Sequence, residues 1–181
     1  WPKEATERVP LVVFSHGIGG SRRGYSYLGR HFASNCIASL HLQHVGSDRE
    51  LWFGNPLALV GRLQSAAQDS EALDRAKDVR VALDLILAGP WGDRIDAQRL
   101  MAAGHSYGAN TTLLASSARV PRAGNVDPRD ERLRAAIVIS APPFYGEGDP
   151  RRILQPVQIP TLHITATGDV IRIPGYFSPY E

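Results

Sequence analysis

Short apolar runs alternate along the chain with amphipathic segments, and this alternation sets the predicted architecture. Nearly continuous apolar runs are typical of strands that helices cover on both faces of a parallel sheet. Between the runs, residues 25–34 and 72–86 carry apolar side chains three and four positions apart, which predicts two helices. Five runs are strand candidates: residues 9–15, 36–42, 99–103, 135–140 and 160–166.

The helix predicted over residues 72–86 has the clearest periodicity in the chain. Glu71 and Arg75 stand one turn apart, and we expect them to form an ion pair. Residues 49–61 show no clear period and predict a loop over the top of the sheet. Strands that alternate with helices in this way predict an α/β domain with right-handed crossovers, and its site is expected beyond the carboxyl ends of the strands.

Composition narrows the functional classes. The chain has 181 residues, 43% hydrophobic and 21% charged, which fits a single domain over residues 1–181. The net charge is only +2 and the basic residues are scattered, so no nucleic-acid partner is predicted. No apolar run approaches the ~18 residues of a membrane helix. The lone Cys36 excludes an internal disulfide, and its place at a predicted strand start favours a buried thiol.

Residues 104–108 carry the strongest chemical signal. They read G-x-S-x-G, after an apolar strand candidate and before a segment rich in small and apolar residues. A strand, a sharp turn and a helix make a nucleophile elbow, whose glycines leave room for the turn. Such a turn holds Ser106 above the carboxyl edge of the sheet. The alternative is an ordinary strand-to-helix turn with a capping serine.

Two further stretches fall at the same predicted edge. Residues 16–21 read H-G-I-G-G-S after the first strand, and Gly168 and Asp169 follow the last strand. The first stretch is not a phosphate-binding loop, because it has no P-loop lysine and its glycine spacing does not fit. His41 and His44 are three residues apart, but they lie on a strand-to-loop segment without a supporting acidic ligand. The sequence therefore predicts neither a metal nor a cofactor.

Taken together, these stretches resemble the α/β-hydrolase fold. More narrowly, they resemble bacterial acetylhydrolases of the platelet-activating-factor acetylhydrolase and dienelactone-hydrolase-like group. The elbow and the His-Gly segment are shared across the superfamily, whereas H-L-Q-H at residues 41–44 points to the narrower group. The resemblance runs from about Pro10 to Pro174, and its other pieces are residues 14–21, 46–48, Arg75, Asp78, Val79, 104–109 and 168–169.

The resemblance implies a role for each matched residue. Ser106 is expected to be the nucleophile that forms an acyl-enzyme, and Asp169 is expected to orient the catalytic histidine. The backbone amides of Ile18 and Tyr107 are expected to form the oxyanion hole. Five residues are expected to support these motifs: His16, Gly17, Gly104, His105 and Gly108.

The catalytic histidine does not appear where this pattern requires it. Triads of this fold follow the order serine, acid, histidine, and none of the six histidines lies after Asp169. The resemblance therefore implies further elements beyond residue 181, including the histidine loop, and a pair of strands before Trp1. His41 and His44 stay open as substitute bases. Structural roles are expected for His16, His105 and His163.

The assignment of the acid also has alternatives. Gly-Asp after a strand is a common turn or helix cap, and Asp169 fits that description as well. Four other aspartates are candidates for the acid, although each fits a turn: Asp48, Asp93, Asp96 and Asp149.

Two functions follow from these residues. The first is a serine hydrolase of carboxyl esters that acts on a small-molecule ester, with short acyl groups implied by the resemblance alone. Trp52, Phe53 and Tyr107 are candidates to line its pocket. Because loss of one triad member leaves only binding and the oxyanion hole, residues 1–181 alone are expected to be nearly inactive. The second is a non-catalytic α/β-hydrolase-fold protein that acts in binding or assembly.

Overall fold

A computed structural model describes residues 1–3, 5–120, 127–143 and 149–169 of the protein. Helices separate the strands along the chain, as the apolar pattern predicts, with two helices between the second and third strands. The strands are β1 (Val9–Ser15), β2 (Ala38–His41), β3 (Ile95–His105), β4 (Leu133–Ile139) and β5 (Thr161–Ile164). The helices are α1 (Ser26–Ser34), α2 (Leu59–Ala66), α3 (Asp69–Ala88), α4 (Tyr107–Ala115) and α5 (Pro150–Leu154).

The five strands form one parallel sheet in the order β2-β1-β3-β4-β5, which confirms the predicted α/β architecture. The last residue of β1, Ser15, is level with Gly104 in β3, and Gly104 is level with Val138 in β4. The carboxyl ends of these strands therefore meet at one edge. The register of the pairing between β1 and β3 shifts between Val9 and Leu11, where Pro10 has no N–H to donate.

The core lies on both faces of β1 and β3. Leu11 and Val13 belong to the apolar cluster that includes Leu83 of α3. Val12 and Phe14 point to the opposite face, where side chains of α1 pack against them. This two-sided burial explains why β1 is a nearly continuous apolar run rather than an alternating one.

Two expectations about surface and loop positions are wrong. Cys36 is exposed and lies in the turn before β2, with φ at +57°, instead of being buried at a strand start. Residues 49–61 are not only loop, because α2 begins at Leu59 after two short 3₁₀ turns. Only Ala66 of α2 is buried, so this helix contributes little to the core.

Candidate active site

Ser106 lies at the turn between β3 and α4 in a conformation that non-glycine residues rarely adopt. Its φ and ψ are +55° and −122°. Such a backbone conformation costs about 1–3 kcal/mol and is found mainly where the surrounding structure enforces it. The Ser106 N–H donates to the carbonyl of Ile139 at 2.9 Å, which ties the turn to the end of β4. The strand, the strained turn and the helix match the geometry of a nucleophile elbow.

Close backbone contacts require the glycines on either side of this turn. A Cβ on Gly104 would lie 2.0 Å from the carbonyl oxygen of Gly108, and a Cβ on Gly108 would lie 2.0 Å from that of Ser15. A Cβ on Gly17 would approach the Cβ of Ser106 to 3.2 Å. The segment after β1 therefore lies directly against the serine, as the oxyanion-hole interpretation requires.

The peptide between Gly17 and Ile18 is held from its carbonyl side. The Gly17 carbonyl accepts hydrogen bonds from Nδ1–H of His16 at 2.8 Å and from the Gly20 N–H at 3.0 Å. In a trans peptide the N–H points opposite to the C=O, so these two bonds also fix the direction of the Ile18 N–H. His16, expected to be structural, orients the peptide that carries this predicted oxyanion-hole amide.

Tyr107 is the first residue of α4. The first turn of a helix carries the positive end of the helix dipole, which favours a negative charge nearby. The Tyr107 N–H, directly after Ser106, is therefore a suitable donor to an oxyanion on a carbonyl carbon bonded to Ser106.

Asp169 follows β5 at the same edge of the sheet and is exposed. Its Oδ2 accepts from the Ala166 N–H at 3.0 Å and the Thr165 hydroxyl at 2.9 Å. The pKa of Asp169 lies below its usual value, chiefly because its carboxylate accepts the hydrogen bond from the Ala166 N–H. Hydrogen bonds from the side chains of Ser140 and Thr165 lower the pKa further, and the charge interaction with His105 adds a small contribution. The carboxyl group is therefore an anion near neutral pH, as an acid that orients an imidazole must be.

A serine–histidine–aspartate chain lies beside the elbow, and the sequence did not indicate it; its serine and histidine are buried, whereas its aspartate is exposed. His44 donates from Nδ1–H to Asp78 Oδ2 at 2.8 Å and accepts from the Ser15 hydroxyl at Nε2, 3.0 Å away. Its backbone N–H donates to Nε2 of His16 at 3.2 Å. Burial lowers the pKa of His44 to about 4 and also lowers the pKa of His16, so both rings are neutral near pH 7.

These contacts decide which histidines can serve Ser106. Both ring nitrogens of His44 are occupied by Ser15 and Asp78, so His44 is not free to act as a substitute base. His41 packs against the ring of Phe14, and burial lowers its pKa. Across residues 1–3, 5–120, 127–143 and 149–169, no histidine ring hydrogen-bonds Ser106 or Asp169.

The remaining predicted residues are placed as follows. His105 Nδ1 shares a 2.7 Å hydrogen bond with the hydroxyl of Tyr25 in the turn before α1. His163, expected in the core, is exposed, because β5 is the outer strand of the sheet as far as residue 169 and all four of its residues are exposed. Of the alternative acids, Asp48 and Asp149 cap helical turns by accepting from backbone amides two residues on. Asp96 likewise accepts from Gln98 N and pairs with Arg99, and Asp93 lies in a 3₁₀ turn.

An apolar rim lies next to residues 16–21, the segment after β1 that is called the oxyanion segment below. Trp52 donates its indole N–H to the Gly19 carbonyl at 2.8 Å and is about half exposed, as is Phe53. A groove of about 710 Å³ adjoins it, lined in part by Val45, Leu51 and Leu57. No cluster of metal-ligating side chains occurs within the described parts of the chain, nor does any helix there have the length and apolar character to cross a membrane.

The fold is that of the α/β hydrolases, and comparisons with known proteins agree. A solved ferulic acid esterase from Streptomyces cinnamoneus superposes with a TM-score of 0.60 at 26% identity, over 89% of this chain and 52% of that one. The α/β hydrolase GrgF from Penicillium sp. sh18 superposes with a TM-score of 0.53 at 20% identity, over 76% of this chain and 39% of that one. This chain therefore has the α/β-hydrolase fold.

Sequence comparisons point to the narrower group. The family model for platelet-activating factor acetylhydrolase, isoform II, matches residues 2–49. The platelet-activating factor acetylhydrolase of Canis lupus familiaris is 26% identical over 173 residues, which are 77% of this chain and 36% of that protein. The Bos taurus protein of the same name is also 26% identical, over 96% of this chain and 44% of its own length. The chain thus resembles these acetylhydrolases, as predicted, and spans less than half of their length.

Proposed function

We propose that this protein hydrolyses carboxyl esters through an acyl-enzyme on Ser106. The observation that carries the proposal is the position of Ser106, at a strained turn with the oxyanion segment directly against it. Acetylhydrolases and a ferulic acid esterase among the similar proteins support the reaction class. A capping serine in an ordinary turn would need neither the positive φ nor the two flanking glycines.

In the proposed mechanism, the Ser106 hydroxyl attacks the ester carbonyl while a general base removes its proton. The amides of Ile18 and Tyr107 donate to the oxyanion of the tetrahedral intermediate, a kind of contact worth about 2.7–4 kcal/mol each. The intermediate expels the alcohol, which takes up the proton, and leaves an acyl-enzyme that water then hydrolyses. Asp169 orients the base. The resemblance assigns that base to a histidine that follows Asp169 in the full-length protein.

We assign a small-molecule ester with a short acyl group as the substrate. The acyl preference rests on the similarity to acetylhydrolases. The apolar rim at Trp52 and Phe53 is suited to contact the acyl or alcohol part of such an ester.

The test is turnover of a p-nitrophenyl acyl series by the full-length protein and its Ser106→Ala variant. We expect acetate to be preferred over longer acyl groups and the substitution to lower kcat by about 10⁶-fold. Ser34→Ala, at the exposed end of α1, is the matched control and should leave kcat unchanged. Equal turnover by Ser106→Ala would overturn the proposal.

One observation favours a second candidate, a non-catalytic binding or assembly protein. Within the part of the chain that the structure describes, no histidine ring hydrogen-bonds either Ser106 or Asp169. The same assay separates the two functions, because a binding protein would show no ester turnover that depends on Ser106.

A further inference from the structure

Arg75 is the largest fully buried side chain in the described structure, and it contacts the segment that carries the predicted oxyanion-hole amide of Ile18. It belongs to α3, and its guanidinium is completely shielded from solvent. The predicted ion pair with Glu71 is not formed among the described side chains. The guanidinium instead donates hydrogen bonds to three other segments of the fold.

Its donors connect the two halves of the oxyanion hole. Nη2 donates to the carbonyl of His16, directly before the Gly17–Ile18 peptide. Nε donates to the Thr111 hydroxyl of α4 at 2.9 Å, and the guanidinium carbon lies 4.6 Å from the centre of the Tyr107 ring. One side chain therefore contacts the segment that supplies the first amide and the residue that supplies the second.

A third bond extends the same arrangement. Nη1 of Arg75 donates to the Ser47 hydroxyl at 2.6 Å, and the Ser47 carbonyl accepts from the Gly19 N–H at 2.8 Å. The oxyanion segment is thus held at His16 by Arg75 itself and at Gly19 by a residue that Arg75 holds.

The charge of Arg75 persists under working conditions. Burial lowers its pKa to about 10, opposed by Tyr107, Glu71 and Asp78, so the guanidinium is a cation at neutral pH. Burying a cation without a directly paired anion is costly, and a fold keeps such a group most readily where the charge has a use. Stabilisation of a developing oxyanion at the Ile18 and Tyr107 amides would be such a use.

We propose that Arg75 is a positioning residue for ester hydrolysis, which holds the Ile18 and Tyr107 amides in register and favours the oxyanion with its buried charge. The inference rests on the proposed function. It goes beyond it by adding a residue that touches neither the substrate nor the nucleophile.

The test compares Arg75→Met and Arg75→Lys in the full-length protein. We expect Arg75→Met to lower kcat by about 100-fold while KM changes by less than about threefold, because the lost stabilisation acts mainly in the transition state. Arg75→Lys keeps the charge and should recover about tenfold of that loss. A fall in kcat that is equal for both variants would contradict the role of the charge.

Arg132→Met is the matched control for lost stability. Arg132 bridges Asp130, Asp84 and the Arg80 carbonyl at the amino end of β4, away from the site. We expect this variant to lower the melting temperature and leave kcat unchanged. If Arg75→Met and Arg132→Met lower kcat alike at matched stability, Arg75 is merely structural.

Amide hydrogen exchange gives a readout that does not need activity. Exchange at Gly19 and Gly20 should quicken at least about tenfold in Arg75→Met and Arg75→Lys relative to Arg132→Met, because the oxyanion segment loses its anchor. Unchanged exchange at these amides in folded Arg75→Lys would overturn the positioning role. Ester turnover that does not respond to Ser106→Ala would instead overturn the proposed function, whatever the exchange shows.

Discussion

The two ends of the candidate site differ in how the fold holds them. At the carboxyl end of β1, Ser15 and His16 are buried and hydrogen-bonded to the segment after β2 and to α3. At the end of β5, Asp169 is exposed and receives its bonds from its own turn and from Ser140. The oxyanion half is therefore fixed by long-range contacts, whereas the acid is placed mostly by local ones.

The position of each strand in the sheet explains this difference. β1 lies between β2 and β3, and helices cover both of its faces. Among the residues that the structure describes, β5 is the outer strand, and Leu162 and Ile164 are about half exposed there. A substitution that rearranges the oxyanion half would break many buried contacts. We therefore expect the oxyanion half to tolerate substitution far less than the turn at Asp169 does.

The largest expected effect comes from the exposed half. Asp169→Asn keeps the shape of the side chain but removes the charge that would orient and stabilise a catalytic histidine. We expect kcat of the full-length protein to fall by about 10⁴-fold, as in other triads, with unchanged thermal stability. The measurements are ester turnover and a thermal melt. Full activity in Asp169→Asn would remove this residue from the mechanism.

A pair of glycine substitutions tests the structural contrast directly. Gly108→Ala places a Cβ 2.0 Å from the Ser15 carbonyl, whereas a Cβ on Gly168 meets no atom of the described residues within 4 Å. We expect Gly108→Ala to lower the free energy of unfolding by more than about 3 kcal/mol. Gly168→Ala should change it by less than about 0.5 kcal/mol. Denaturant unfolding measures both, and equal losses would contradict the contrast.

The buried histidines give the oxyanion half a pH dependence. The pKa of His44 falls from 6.5 to about 4 on folding, so the unfolded chain binds a proton between these values while the folded chain does not. Stability should therefore be full above about pH 6.5 and decline as the pH falls to about 4, by about 3 kcal/mol from His44. His16 acts in the same direction. Unfolding measured against pH should show a shallower slope in His44→Gln, and an unchanged slope would refute this origin.

The sequence predicted the fold well because its signals are local. The apolar runs located all five strands, with β1 at Val9–Ser15, and the residues flanking Ser106 indicated a tight turn. The fold and the resemblance to acetylhydrolases are confirmed, whereas the catalytic roles of Ser106 and Asp169 stay predictions.

The parts that could not be predicted depend on contacts between distant segments. Ser15, His44 and Asp78 lie 29 and 34 positions apart, and no spacing rule joins three such residues. From the helical spacing, Arg75 is expected to pair with Glu71. Its burial could not be predicted, because periodicity does not show which polar side chain a fold buries. The exposure of Cys36 could not be predicted for the same reason, because the apolar residues beside it do not show whether the fold covers its side chain.

The most direct test of the account is the mass of the intact full-length protein after treatment with a fluorophosphonate, which labels activated serines. We predict a single adduct that maps to Ser106, is lost in Ser106→Ala and is kept in Ser34→Ala. No adduct, or an adduct at Ser15 beside His44, would contradict the assignment of Ser106 as the nucleophile.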